Sequence, residues 1–329
     1  MSGSTRLAGA LPGNARSRVR TADRVGDRVL HGLCMLAALL AVLALGAIAY
    51  KVVDGASPSI SRFGLGFLTH TTWKPNPPFE VFGAGSLIFG TAVTSFMALL
   101  LAVPLAVSIA LYLSMAASPR VRGVIGPLVE TLAAIPSVIL GFWGILVFGP
   151  FLQKHIEPFL HGVFGFLPIF GGTPTTGTGL FNAGLILTIM VVPIVASISR
   201  DLFLSVPREL REGATALGAT RWEVLRGVVL PHSASGVAAA ACLGLGRALG
   251  EAIAVTQVIG AGNAIHASLF QTGDTLASRV ADQFAGATTR LQIASLFYLG
   301  VILLVIGLLA NITAQWIGRR FDVSTVTVR

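Results

Sequence analysis

Residues 206–231 read VPRELREGATALGATRWEVLRGVVLP, a charged, helix-forming segment set between two long apolar runs. Pro207 suits the first turn of a helix, where its missing N–H costs nothing, and Glu209, Glu212, Ala214, Ala216 and Leu217 favour helix. Gly218 interrupts that pattern. A second helix is expected from Thr220, an N-cap residue type followed three positions later by Glu223, the spacing of a capping box. Pro231 is expected to close the segment before the next apolar run. The stretch is thus a helix–turn–helix, and its flanks decide what it can be. Apolar runs on both sides argue against a DNA-reading role.

Those runs set the fold class. The chain has 329 residues, 54% hydrophobic and 11% charged, against about 25% charged for a soluble domain. This is the composition of an all-α, polytopic membrane protein. A spanning helix needs about 20 mostly apolar residues, and six stretches qualify: 29–52, 86–112, 127–150, 182–199, 233–260 and 291–317. The first exceeds the h-region of a signal peptide and is followed by five more, so an uncleaved span is expected. Phe159–Phe170 is apolar but too short to cross and is broken by Pro168, which suggests an external packed segment. KPNPP at 74–78 reads as a stiff extended connector. The organisation is a basic N-terminal tail (1–28), a membrane domain (29–318) and a short C-terminal tail (319–329).

Lys and Arg are unevenly shared. Sixteen precede the first span, join spans 2 to 3 or 4 to 5, or follow span 6; six lie on the opposite side, and Arg247 lies within a span. Positive residues stay inside, so both termini are expected in the cytoplasm, with 54–85 and 151–181 outside the plasma membrane. The net charge of +9 then reflects topology, and no nucleic acid is expected. The chain has no GxxxxGK[ST] loop to cradle phosphates. Cys34 and Cys242 lie in apolar runs and the histidines are scattered, so no metal site is assigned. No Ser–Lys, His–Glu or paired-Asp constellation within the spans suggests an intramembrane enzyme.

One span carries charge. GLGRALGEA, residues 244–252, places Arg247 and Glu251 in the fifth run, where each charge costs about 2.5–3.5 kcal/mol at the helix centre. Counted from 233, Arg247 lies roughly 21 Å along a helix rising about 1.5 Å per residue, near the middle of a core about 30 Å thick. Glu251 falls one turn further on the same face. Gly246 and Gly250, with Gly244, would allow close approach of a neighbouring helix. The functional reading is that Arg247 meets an anion or gates its path, with Glu251 holding the guanidinium when the path is empty. The alternative is a structural ion pair. A lone Arg suits phosphate, sulfate or molybdate alike.

Glu212-Gly213-Ala214, Gly218, Val228, Leu230 and Pro231 follow a known spacing: Glu-Ala-Ala, three residues, Gly, nine residues, Ile, any residue, Leu-Pro. The loop resembles the EAA loop of bacterial ABC importer permeases, with Gly213 in place of Ala and Val228 in place of Ile. With ETLAAIPSVILGFWGILVFGP (130–150) and LGLGRALGEAIAVTQVIG (243–260), it is similar to the PstC-type permease family of phosphate-specific ABC importers. Ala252 and Ile253 stand where that family is expected to carry Thr and Met. The resemblance covers about 85–317 and implies a six-helix importer permease fold whose loop, 206–231, carries a coupling helix docked on an ATPase. It also implies a translocation path through Arg247 and Glu251 and import of inorganic phosphate. The implied partners are a second permease resembling PstA, an ATPase dimer resembling PstB that binds ATP and Mg, and an extracytoplasmic phosphate-binding protein. No cofactor is implied in this chain. From the residues themselves, a permease for another oxyanion such as sulfate or molybdate stays open. A stand-alone channel would give the docking loop no purpose; uptake without any ATPase discriminates it.

Overall fold

The computed structural model describes residues 13–172 and 177–320. Parts of the two tails and of the segment after Gly172 lie outside those residues. Ten helices carry the fold. They are α1 (Gly13–Phe63), α2 (Gly85–Leu111, extended by a π-turn at Tyr112–Ala116), α3 (Pro119–Ala133), α4 (Ser137–Phe164), α5 (Leu180–Ser205), α6 (Arg208–Ala216), α7 (Arg221–Gly250), α8 (Ile253–Val258), α9 (Leu276–Gln283) and α10 (Arg290–Arg320). Six of them, α1, α2, α4, α5, α7 and α10, are long and apolar enough to cross a membrane. Among the described residues the only extended pairing is an isolated bridge between Lys74 and Val81.

Two units are distinguished, residues 1–54 and 55–329. In the first, the apolar run of α1 leaves its large side chains open, with Leu30 62% and Leu45 67% exposed. The second holds the core. In lipid, apolar burial drives helices together weakly, so close backbone packing decides. α2 supplies it with Ala98, Ala102, Ala106 and Ala110, one per turn and all fully buried. Against this side of α2 packs α5, with Ile186, Leu187, Val191 and Val195. Gly244 of α7 comes so close that a Cβ there would lie 2.7 Å from Val191 and 3.0 Å from Val195. α5 is therefore the central helix, touched by α2 on one side and α7 on another.

The third span differs from the expected 127–150. Pro119–Ala133 is a separate helix, the chain is broken before Pro136, and the span is Ser137–Phe164. Proline lacks the N–H that would continue the helix and pushes the residue before it out of the α region. The expected external segment Phe159–Phe170 is correspondingly divided: its first part completes α4, and only Pro168–Phe170 forms a separate turn. α3 instead lies along α5, tied by Arg200 Nη2 to Glu130 Oε1 at 2.8 Å. The connector at 74–78 is not extended either. It turns back so that the backbone of Lys74 pairs with Val81 at 2.8 and 3.1 Å.

Candidate translocation path and docking loop

Arg247 stands in the last turn of α7, which ends at Gly250. The fifth span was expected to continue to residue 260. Instead Glu251 is extended (φ −72°, ψ 115°) and a short second helix, α8, follows. The apolar sequence hides this break; its local cause is visible in the structure. Glu251 Oε1 accepts from the Ala254 N–H at 3.3 Å, satisfying the first turn of α8, while Oε2 lies 3.7 Å from Arg247 Nη2. The i,i+4 pair survives the break, but at a separation well beyond the 2.7–2.9 Å or so of a charge-assisted hydrogen bond.

The two partners differ in exposure: the Arg247 side chain is 38% exposed and Glu251 9%. Arg247 also sits where the α7 carbonyls lose their helical partners, at the negative end of the helix dipole, which favours a cation. α8 does not leave the bundle. It packs beside the first turns of α4, where a Cβ on Gly141 would meet Gln257 and Ala254, and one on Gly144 would meet Val258 and Ile186. Non-helical backbone between spanning helices is tolerated only where protein buries it or where it lines a water-filled cavity. An exposed guanidinium beside such a break can receive an anion.

The glycine reading needs correction. Gly244 makes the close helix contact, whereas a Cβ on Gly246 or Gly250 would meet nothing within 4 Å. Gly246 borders an open groove of 790 Å³ between α7 and α10, lined also by Ser235, Cys242, Asn311 and Gln315.

The loop after α5 folds as its sequence suggests through the start of the second helix. α6 spans Arg208–Ala216, and Gly218 has φ +89°, a left-handed turn natural to glycine. The carbonyls ending α6 are closed by Leu217 N–H to Gly213 (3.2 Å), Gly218 N–H to Thr215 (3.0 Å) and Ala219 N–H to Ala214 (3.1 Å). Thr220 and Glu223 form the capping box, with Thr220 N–H donating to Glu223 Oε2 at 2.7 Å. Pro231, however, closes nothing. Arg221–Gly250 is one continuous helix. A π-turn at Leu225–Val229 precedes Pro231 and accommodates a residue without an N–H.

The motif residues fall into two sets. Glu212, Gly213 and Gly218 are exposed. Beside them Leu217, Trp222 and Leu210 are 92%, 65% and 48% exposed, an unpartnered apolar surface on a charged loop. Val228 and Leu230 instead pack on a small core of Ala110, Phe203, Val206 and Val229, where α2, α5 and α7 meet. Ala214 is half-buried and Pro231 exposed.

Sequence reasoning missed a deeply buried ion pair. Arg279 of α9 and Asp274 lie 2.6 Å apart (Nε to Oδ2) at 4% and 3% side-chain exposure, though without the N–H alignment of a hydrogen bond. Arg279 Nη2 also donates to Asn263 Oδ1 at 2.5 Å, and the guanidinium stands 5.6 Å from the Trp73 ring centroid. Asp274 Oδ1 accepts from Thr275 N–H at 2.8 Å and from the Ser278 hydroxyl. Burial pushes the Asp274 carboxyl above its ordinary range, with Arg279 the first of the groups pulling it back. Thr275 and Ser278 form a capping box at the start of α9, the one local signal that the sequence offered. Among the described residues no three or more His, Cys, Asp or Glu cluster as a metal site would.

Comparison with known proteins places the chain in a family. Residues 102–323 match the family model described as "Binding-protein-dependent transport system inner membrane component". The chain is 41% identical to the phosphate transport system permease protein PstC of Mesorhizobium japonicum, over 96% of this chain and 98% of that one. It is 46% identical to PstC of Pasteurella multocida, over 82% and 84%. Among solved structures, a bacterial alginate ABC transporter in complex with an alginate pentasaccharide-bound periplasmic protein matches with TM-score 0.60 and 18% identity, over 92% of this chain and 98% of that one. An inward-facing MetNI methionine ABC transporter matches with TM-score 0.50 and 21% identity, over 73% and 94%. These two share the fold. By its sequence match across most of its length, the chain belongs to the inner membrane components of binding-protein-dependent transport systems and groups with the PstC permeases.

Proposed function

We propose that this chain is the permease subunit of an ATP-driven importer that carries inorganic phosphate across the cytoplasmic membrane of a bacterium. The observation that carries the reading is the exposed Arg247 guanidinium beside the helix break at Glu251. Charge-assisted hydrogen bonds to it suit an oxyanion, and the relatives named as phosphate permeases supply the identity of that oxyanion. Arg247 takes the passing anion, and Glu251 competes for the guanidinium so that the anion is released. The exposed loop face at Leu210, Leu217 and Trp222 supports docking of an ATPase dimer resembling PstB, which binds the ATP and Mg. A second permease resembling PstA and an extracytoplasmic phosphate-binding protein complete the assembly. The excess of Lys and Arg on the α6 side supports cytoplasmic termini.

The test is the reconstituted complex in proteoliposomes, offered labelled phosphate, sulfate and molybdate. ATP-dependent uptake of phosphate is expected. Uptake of another anion in its place rejects the substrate, and uptake by this chain without an ATPase rejects the permease role. In the same vesicles an impermeant thiol reagent should modify Thr220→Cys only from the ATP side; modification from the opposite side reverses the orientation.

Gly218 provides a check on docking. A Cβ there meets nothing within 4 Å in this chain, so within the loop itself substitution acts through the left-handed backbone, which costs an L-residue about 1–2 kcal/mol. Gly218→Glu is expected to uncouple ATP hydrolysis from uptake, whereas Gly218→Asn, which tolerates this conformation, should stay coupled. Normal transport by Gly218→Glu would rule out the docking role.

A further inference from the structure

The end of α2 is not α-helical. Its last five residues, Tyr112–Ala116, form a π-turn, and α7 carries another at Leu225–Val229. Met115 from the first and Val228 and Val229 from the second belong to the same apolar cluster, with Ala110, Phe203 and Val206. A π-turn holds one residue more than an α-turn. Moving or expelling that residue turns everything beyond it by about 100° and slides it by about 1.5 Å. Such a turn has two discrete arrangements available, as a transmitting element needs.

Two arginines from different helices grip the turn in α2. Arg122 of α3 donates from Nε to the Leu113 carbonyl at 2.8 Å and from Nη2 to the Ser114 carbonyl at 2.9 Å. These bonds serve carbonyls at a helix end and fasten α3 to it. Arg211 of α6 reaches the next residue, with Nη1 3.8 Å from Met115 Sδ. Arg208, Glu209 and Glu212 beside it are exposed, whereas Arg211 is turned inward. Its contact is poor as a stabilising device. A thioether is a weak acceptor, and the Arg211 Nε is buried without a partner, a state that costs about 1–3 kcal/mol. An apolar side chain would hold α6 against Met115 at lower cost.

We propose that Arg211 is a positioning residue that passes displacement of α6 to span 2, acting through Met115 on the π-turn at 112–116. The inference rests on reading α6 as the helix that docks on the ATPase. From the π-turn the route is continuous: α2 lies along α5 on its alanine row, and α5 meets α7 at Gly244, three residues before Arg247. A movement of α6 thereby reaches the segment that carries the exposed guanidinium. Spatial continuity alone does not establish coupling, so the test reads coupling directly.

The experiment uses the whole reconstituted complex and measures, in one preparation, ATPase co-purification, ATP hydrolysis, and phosphate imported per ATP. Arg211→Ala should lower phosphate per ATP about tenfold, within the range of ordinary coupling energies, while co-purification and hydrolysis persist. Met115→Ala should give the same loss. The double variant should be no worse than either single one, since contacting residues on one route are not additive. Arg211→Lys should restore most of the ratio. An unchanged ratio in Arg211→Ala overturns the proposal. So does an equal fall in co-purification, hydrolysis and uptake, which marks a contact that only holds the loop, or additivity in the double variant. If the wild-type complex imports a different oxyanion, the substrate assignment fails and the ratio is read with that anion. If no ATPase co-purifies with wild type, the docking reading fails and this inference with it.

Discussion

Arg247→Gln is expected to reduce phosphate uptake at least about a hundredfold, the equivalent of two charge-assisted hydrogen bonds at about 1.5 kcal/mol each, with assembly and ATP hydrolysis retained. The guanidinium is 38% exposed and ends α7 beside extended backbone, so its removal leaves the helix intact and takes away the anion's donors. Arg247→Lys keeps the charge but loses the planar fork and should transport poorly. Glu251 has two tasks, and its variants separate them. Gln in its place can still accept from Ala254 N–H, so Glu251→Gln removes the competing charge and should slow turnover more than assembly. Glu251→Ala also removes the cap on α8, at about 0.5–2 kcal/mol of local stability. The decisive result is the double variant Arg247→Gln, Glu251→Gln. Near-normal uptake there would identify a pair that needs only mutual neutralisation and would discard the anion-binding role.

The pair itself was legible in the sequence because two charges one turn apart stand out in an apolar run. Its setting was not. Hydropathy stays high from Ala252 to Gly260, so nothing local announces that the helix ends at Gly250. The third span was misplaced for a related reason. Residues 127–150 read as one apolar span that crosses Pro136, with 151–181 as an external loop. Pro136 breaks that run, and Glu157, 3% exposed, faces inward from the span. The helix–turn–helix at 206–231 was the most readable part, since capping, turn glycine and spacing are all local properties. That Val228 and Leu230 serve the junction of three helices while Glu212 and Gly218 face outward is a tertiary fact. The π-turns are likewise tertiary: no residue type in YLSMA or LRGVV marks one.

Arg279→Met should destabilise the protein by about 3–5 kcal/mol, the usual cost of removing one member of a buried ion pair. Asp274 would then keep a carboxylate at 3% exposure with its counter-charge gone. The consequence is not confined to a side-chain pair. Leu276 N–H bonds to Thr91 Oγ1 of α2 at 2.9 Å, and a Cβ on Gly90 would collide with the Asp274 carbonyl, so this segment is seated on the start of the second span. Loss of the pair should unseat it, lowering the thermal midpoint of the purified protein. The pH dependence has a definite sign. Burial raises the Asp274 pKa in the folded state, and Arg279 opposes that shift; without Arg279 the rise is larger. A raised folded pKa means that the native state holds the proton more tightly than the unfolded chain. Relative stability is then greatest below the unfolded value, about 3.9, and is lost as pH climbs through the folded one. Arg279→Met should therefore unfold at a lower temperature at pH 8 than at pH 5, and by a wider margin than wild type. The Asp274→Asn, Arg279→Met double variant carries no buried charge at this pair. It should recover much of the stability and remove this pair's contribution to the pH dependence. If it is as unstable as the single variant at every pH, packing around Trp73 and Asn263, rather than charge compensation, holds this segment in place.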